Sequence, residues 1–189
     1  MVTPARFAPG RVFATFRDVV TAPGRTWAAG RTIGVPGVVL VLAGAVLALL
    51  SFRFLHWYDV PAGHDSSGDV TFGKLGDSAD QLGGAGVAAA YFGWLAWLLL
   101  IAGIVVGVAA NLPTPLADPL RVTGFVVGLL GTGGTLYALA QHFHAAGSTN
   151  GIFHNASWGT WSALAGFVLI AAGAALGPRR RGQPGGTTP

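Results

Sequence analysis

Long uncharged apolar runs are the feature of this sequence that most limits how it can fold. One run, "VAAAYFGWLAWLLLIAGIVVGVAAN", extends from Val87 to Asn111 without a charged residue. It is longer than the roughly 20 helical residues that cross a hydrocarbon core of about 30 Å. It is also continuous, whereas a membrane β-strand alternates apolar and polar residues. The run therefore predicts a transmembrane helix.

Further runs of the same kind bring the number of predicted spans to four, at about 33–57, 87–111, 122–143 and 158–176. The composition agrees, because 52% of the residues are hydrophobic and only 10% are charged, against about 25% charged in ordinary globular chains. We predict an all-α integral membrane protein whose residues 33–177 form a four-helix transmembrane bundle. A basic leader, 1–32, precedes it, and a basic tail, 178–189, is too poor in apolar residues to fold.

Arginine and aspartate set the predicted orientation, since cytoplasmic flanks of membrane spans are rich in Lys and Arg. The leader has five arginines and one acidic residue, and the tail has three consecutive arginines. The segment from Asp59 to about Gly86 has five aspartates and one lysine, which fits an outer loop, with a solvated turn at Asp65–Asp69. Both termini are therefore predicted to be cytoplasmic and the histidines to face outward from the plasma membrane. Because the positive-inside rule accounts for the net charge of +4, no nucleic-acid partner is expected.

The leader contains a candidate membrane-surface segment, "RVFATFRDVV", at about 11–20. Wound as a helix, it places its apolar residues on one side and most of its charges on the other. We predict a short interfacial helix on the cytoplasmic leaflet, with Phe13 and Phe16 entering the lipid and Arg11 and Arg17 meeting anionic headgroups. The same face could instead dock onto a protein partner.

The histidines are the candidate ligand-binding residues. "QHFHAAGSTNGIFHN", Gln141 to Asn155, holds three of the five, and imidazole commonly ligates zinc, copper and haem iron. If the third helix continues through His144, then His142 and His144 point about 200° apart and cannot chelate one ion. A metal or haem site would therefore join His56, at the end of the first helix, to this segment, with Arg53 and Gln141 as further ligand-binding residues. Otherwise the histidines simply suit the headgroup region, where an apolar ring meets water.

Small residues and aromatic residues each form a pattern along the spans. Small residues recur at helical steps, and we expect these ridges to pack helices within the chain rather than between subunits. They are Gly44 and Ala48; Gly103 and Gly107; and Gly124, Gly128, Gly131 and Thr135. Aromatic residues gather toward the outer ends of the helices and predict an interfacial belt. They are Trp57, Tyr58, Tyr91, Trp94, Trp97, Trp158 and Trp161.

Two short segments, "FLHWYD" at Phe54–Asp59 and "WGTWSALAG" at Trp158–Gly166, carry a resemblance. They resemble the "LPWY"-like end of helix one and the "G.W..L.G" start of the last helix in actinobacterial four-helix integral membrane proteins of unknown function. The resemblance spans about residues 33–177, with His56 where that signature has proline. It implies a four-helix membrane architecture and brings no established activity or cofactor.

The sequence contains no catalytic signature and no phosphate-binding loop, so we expect a non-enzymatic protein without a cofactor. No span carries a wide polar stripe, which argues against a conducting pore. The leading hypothesis is an accessory or scaffold subunit of a cell-envelope complex, in contact with the lipid bilayer and another membrane protein. The alternative is an outward-facing protein that binds a small ligand, a metal or haem through the outer histidines.

Overall fold

A computed structural model describes residues 31–59, 70–82, 86–146, 153–154 and 156–180. Five helices and four short strands follow one another along the described chain. They are β1 (Arg31–Thr32), α1 (Val35–Arg53), β2 (His56–Tyr58), β3 (Val70–Thr71), α2 (Phe72–Gln81), α3 (Gly86–Ala109), α4 (Ala117–Ala145), α5 (Trp158–Leu176) and β4 (Arg179–Arg180). The interfacial helix predicted in the leader, with Arg11, Phe13, Phe16 and Arg17, lies outside the described residues, as does most of the tail.

The helices α1, α3, α4 and α5 are long and apolar enough to cross a membrane, at 19, 24, 29 and 19 residues. The prediction of four spans is confirmed to this extent. Two boundaries were wrong. The first helix ends at Arg53 rather than near Trp57, since the chain turns at Phe54 and enters β2. The α4 helix begins at Ala117 rather than near Val122. Pro119 allows this earlier start because it falls in the first turn, where the N–H groups have no intrahelical partner.

The four long helices form a closed ring. In this ring α1 lies between α5 and α3 on one side, and α4 lies between α5 and α3 on the other. The closest approach is between α1 and α5, where a Cβ on Gly44 would lie 2.4 Å from the carbonyl oxygen of Gly166. Likewise, a Cβ on Gly128 of α4 would lie 2.7 Å from the Ala171 backbone of α5. The prediction that the small residues pack helices within the chain is confirmed. The outward faces carry exposed Leu, Val and Ile, as expected of helices in contact with lipid.

One end of the bundle is covered by what we call the cap, which consists of β2, β3 and α2. The strands pair antiparallel, with His56 opposite Thr71. The α2 helix buries Phe72, Leu75 and Ala79, spaced three and four residues apart, against the bundle. Part of the predicted outer loop is therefore helical, and the solvated turn predicted at Asp65–Asp69 lies outside the described residues. At the other end, which we call the ribbon end, β1 pairs antiparallel with β4. The fold is thus mostly helical, with two small ribbons that the all-α prediction lacked.

Candidate functional site

The histidines predicted as metal ligands are separated by the course of α4. The helix continues through Ala145, so His142 and His144 point in different directions. His142 is only 8% exposed and packs edge-on against Phe92 and Phe143, with ring centroids 6.4 and 5.5 Å away. Its Nδ1 is buried and has no hydrogen-bond partner among the described residues. His144, in contrast, is exposed.

His56 was predicted to end the first helix, but it lies exposed in β2. Within the described ranges, no three His, Cys, Asp or Glu side chains are grouped closely enough to hold a metal ion. Nor do Arg53 and Gln141 line one cavity: Arg53 lines a groove under the cap, whereas the Gln141 side chain donates a hydrogen bond to the Tyr137 hydroxyl at 3.0 Å. The structure therefore does not assemble the five residues into one site.

The described structure brings other residues together around Arg53, in a cavity of about 420 Å³ between the end of α1, α2 and α3. We call this cavity the Arg53 groove. Arg53 is exposed on one side, and Asp77 and Asp80 are exposed on α2. The remaining wall is made of aromatic rings, glycines and one threonine. The lining residues are Phe52, Arg53, Thr71, Phe72, Gly73, Gly76, Asp77, Asp80, Phe92, Gly93 and Trp97.

Stacked aromatic rings fix the inner wall of the groove. The rings of Phe52 and Phe72 stack with centroids 4.5 Å apart, and Trp97 meets Phe52 edge-on at 5.4 Å. A π-helical turn at Tyr91–Leu95 supplies Phe92, which contacts Phe72 at 5.4 Å. Such turns occur frequently at functional sites. Because the rings are mutually packed, the wall under Arg53 is rigid.

Hydrogen bonds join the cap to α5 at the two segments on which the resemblance rests. The Trp57 carbonyl accepts hydrogen bonds from the Ser157 N–H at 2.9 Å and from the Thr160 hydroxyl at 2.8 Å. The Ser51 hydroxyl donates to the Gly159 carbonyl at 2.7 Å. A Cβ on Gly159 would lie 2.5 Å from the His56 carbonyl oxygen, so only glycine fits there. We call these contacts the clasp.

The clasp and the aromatic wall correct the prediction of an interfacial aromatic belt. Trp57 is 0% exposed, and Tyr58 and Tyr91 are also buried. Burial raises the pKa of the Tyr58 phenol to about 12, with a hydrogen bond to Thr160 opposing the shift. Trp57 and Tyr58 are core residues of the cap, whereas Tyr91 is a core residue of the bundle, where its hydroxyl bonds Thr135 of α4. Only Trp94, Trp158 and Trp161 are exposed, as a belt requires.

Four apolar helices of membrane-spanning length, with apolar outward faces, are the features of a multi-pass membrane protein that contacts lipid. Comparisons of the chain with protein-family models, with curated proteins and with solved structures find no match. The groove and the clasp are therefore interpreted from their own chemistry.

Proposed function

We propose that this chain is a non-enzymatic accessory or scaffold subunit of a cell-envelope membrane complex. In this proposal it lies in the plasma membrane with both termini in the cytoplasm and the cap outside. The arginine-rich leader and tail support that orientation. Kinship with the actinobacterial four-helix proteins is part of the proposal. It is supported by the contact, in the clasp, between the two segments that carry the resemblance, Phe54–Asp59 and Trp158–Gly166.

The observation that carries the proposal is a well-packed cap on a tightly packed bundle. The cap is held by buried rings and by hydrogen bonds to α5. At the ribbon end of the bundle, α1 and α5 touch through their backbones, since a Cβ on Gly37 would lie 2.7 Å from the Gly173 carbonyl oxygen. Such contact leaves no room for a substrate path between these helices. A preformed surface on helices that pack this closely suits a protein that binds another protein.

The test is to tag the full chain at its C-terminus in its own host, extract it in mild detergent, and quantify the proteins that co-purify. We expect one membrane protein in near-stoichiometric amount. Two glycines distinguish the surfaces that could bind it, because a Cβ at Gly73 on the cap or at Gly133 on α4 meets no atom within 4 Å. Gly73→Trp should remove the partner, whereas Gly133→Trp, the matched control on a membrane helix, should retain it.

Other outcomes would contradict the proposal. Loss of the partner only with Gly133→Trp would place the interface on the membrane helices rather than on the cap. A protein purified alone, reproducibly loaded with a metal or haem, would exclude the scaffold role. That result would favour the alternative function and direct attention to His56, His142 and His144. Metal analysis and an absorption spectrum of the same preparation provide this information.

A further inference from the structure

The Arg53 groove has one positively charged side chain on α1 and two negatively charged side chains on α2. Arg53 ends α1, while Asp77 and Asp80 lie three residues apart on α2 and so share one face of that helix. Within the residues that the structure describes, none of these side chains has an ion-pair partner in the protein. The groove therefore presents one cation and two carboxylates to a ligand. The chain's single lysine, Lys74, is on the same helix but does not line the groove.

The groove lies at the polar end of two lipid-facing surfaces. On α1, the exposed residues Val46, Leu49 and Leu50 lead along the helix to Arg53. On α3, the exposed Ile101 is one helical turn from Trp97, which lines the groove. An amphipathic molecule with its polar group in the groove would thus have apolar surface directly beneath it for its hydrocarbon chains.

Glycine keeps the groove open. A Cβ at Gly73 on α2 or at Gly93 on α3 would meet no atom within 4 Å, so both face open space. The cavity of about 420 Å³ is within the range of about 300–1,000 Å³ that is usual for small-ligand sites. The aromatic wall fixes its shape before a ligand arrives, which lowers the entropic cost of binding.

We propose that the Arg53 groove binds a phospholipid whose headgroup is a zwitterion with a primary ammonium, of the phosphatidylethanolamine class. The phosphate lies at Arg53, since a guanidinium donates paired hydrogen bonds to phosphate oxygens. The ammonium lies between Asp77 and Asp80, which accept its hydrogen bonds. A choline headgroup has no N–H to donate, and a glycerol headgroup has no cation to balance two carboxylates. The inference does not depend on the proposed accessory role.

The test measures which lipids the purified full chain retains. The protein is exchanged in detergent with equal amounts of phosphatidylethanolamine, phosphatidylcholine and phosphatidylglycerol that share the same acyl chains, and retained lipids are counted by native mass spectrometry. We expect phosphatidylethanolamine to be retained about tenfold over each competitor, the effect of one or two charge-assisted hydrogen bonds. A water-soluble headgroup, glycerophosphoethanolamine, is added as a competitor in a parallel sample and should displace little lipid.

Variants separate the two ends of the headgroup. The double variant Asp77→Asn with Asp80→Asn should lower the ratio of phosphatidylethanolamine to phosphatidylglycerol about tenfold without reducing retained phosphatidylglycerol. Arg53→Gln should reduce retention of all three lipids, whereas Arg53→Lys should preserve most of it. Asp59→Asn is the matched control, since Asp59 is an exposed carboxylate beside β2 that lines a different cavity.

Three results would overturn the proposal. Equal retention of the three lipids by the unmodified chain would remove the headgroup selectivity. An unchanged lipid ratio in the double variant would show that the carboxylates do not contact the headgroup. Displacement by glycerophosphoethanolamine at the lipid's own concentration would make the groove a site for a soluble zwitterion. All the substituted side chains are exposed, so the variants should fold, and size-exclusion chromatography with circular dichroism checks this.

Discussion

The two ends of the bundle are held together by different chemistry. At the cap, Trp57 lies among aromatic rings, with centroids 5.3 Å from Phe72 and 5.8 Å from Phe92. At the ribbon end the chain relies on polar side chains. The buried Asn111 amide donates hydrogen bonds to the carbonyls of Gly107 and Gly173, at 2.9 and 3.0 Å. Burial of rings therefore stabilises one end, and hydrogen bonding to backbone carbonyls stabilises the other.

Side-chain donors to helix C-termini account for the polar character of the ribbon end. The ribbon end is where α3 and α5 finish, and the last four carbonyls of a helix have no intrahelical donor. Two of the four in α5 receive side-chain donors, Gly173 from Asn111 and Ala175 from the Arg121 guanidinium at 3.0 and 2.6 Å. Gly177, with φ of 63°, then turns the chain toward β4 against the Arg121 side chain. These side-chain donors pair carbonyls that the backbone of α5 leaves without a partner.

At the cap, α1 and α4 finish and α5 begins, and the first N–H groups of α5 need acceptors. The Trp57 carbonyl accepts the hydrogen bond of Ser157, the residue before α5. Because α2 is too short to be stable alone, it must be held by the area that it buries. The cap thus depends on apolar contacts between segments distant in sequence, and we expect it to be more sensitive to loss of a ring than of a hydrogen bond.

The largest expected effect is that of Trp57→Ala. Removing a fully buried ring, together with its Nε1 hydrogen bond to the Ser51 carbonyl at 3.1 Å, should destabilise the cap by about 3–5 kcal/mol. Hydrogen exchange of the full chain in detergent should show loss of amide protection in 72–81, with protection retained in 173–176. Trp94→Ala is the control, since Trp94 is 58% exposed, and it should change little. Equal loss of protection at both ends would contradict the conclusion that burial of rings stabilises the cap in particular.

The membrane spans were the part of the fold that the sequence could predict. An uncharged run is a local property of the sequence, and each helix of membrane-spanning length contains one of the predicted runs. The steps of four, three and four between Gly124 and Thr135 also predicted the α4 surface that meets α5, because helical periodicity decides which residues share a face. Each of these predictions used only the sequence of a single helix.

The cap and the groove could not be predicted in the same way. The spacing of Phe72, Leu75 and Ala79 does indicate an amphipathic helix, but Gly73 and Gly76 weaken the local helical signal. The groove requires that Arg53, α2 and Trp97 meet, which is a matter of how helices are arranged rather than of their periodicity. The separation of His142 from His144, in contrast, followed correctly from helix geometry alone.

A smaller effect is expected from Asn111→Ala at the ribbon end. The substitution leaves the Gly173 carbonyl without its side-chain donor and should cost about 1–3 kcal/mol. Thermal unfolding followed by circular dichroism should show a lower midpoint, and hydrogen exchange should place the loss of protection near 173–176 rather than in α2. Thr114→Val is the matched control, because the buried Thr114 hydroxyl has no partner among the described residues. A loss of protection confined to the cap would contradict the conclusion that Asn111 stabilises the ribbon end.

The smallest effect is expected from Thr160→Val, which tests the hydrogen bonds of the cap separately from its aromatic rings. Valine has nearly the shape of threonine, and the Trp57 carbonyl keeps its bond from the Ser157 N–H, so the change removes only the hydrogen bonds of the Thr160 hydroxyl to Trp57 and Tyr58. The loss should be about 1 kcal/mol. Thr123→Val is the control, since the exposed Thr123 hydroxyl bonds only the Pro119 carbonyl of its own helix.

The measurement for Thr160→Val is again amide protection in α2, now compared with that of Trp57→Ala. If aromatic burial dominates, protection of 72–81 falls by about tenfold or less in Thr160→Val, the equivalent of about 1.4 kcal/mol. A loss as large as that of Trp57→Ala would mean that the clasp, and not the rings, holds the cap on the bundle. In that case both ends would depend on hydrogen bonds to backbone carbonyls, and the chemical difference between them would disappear.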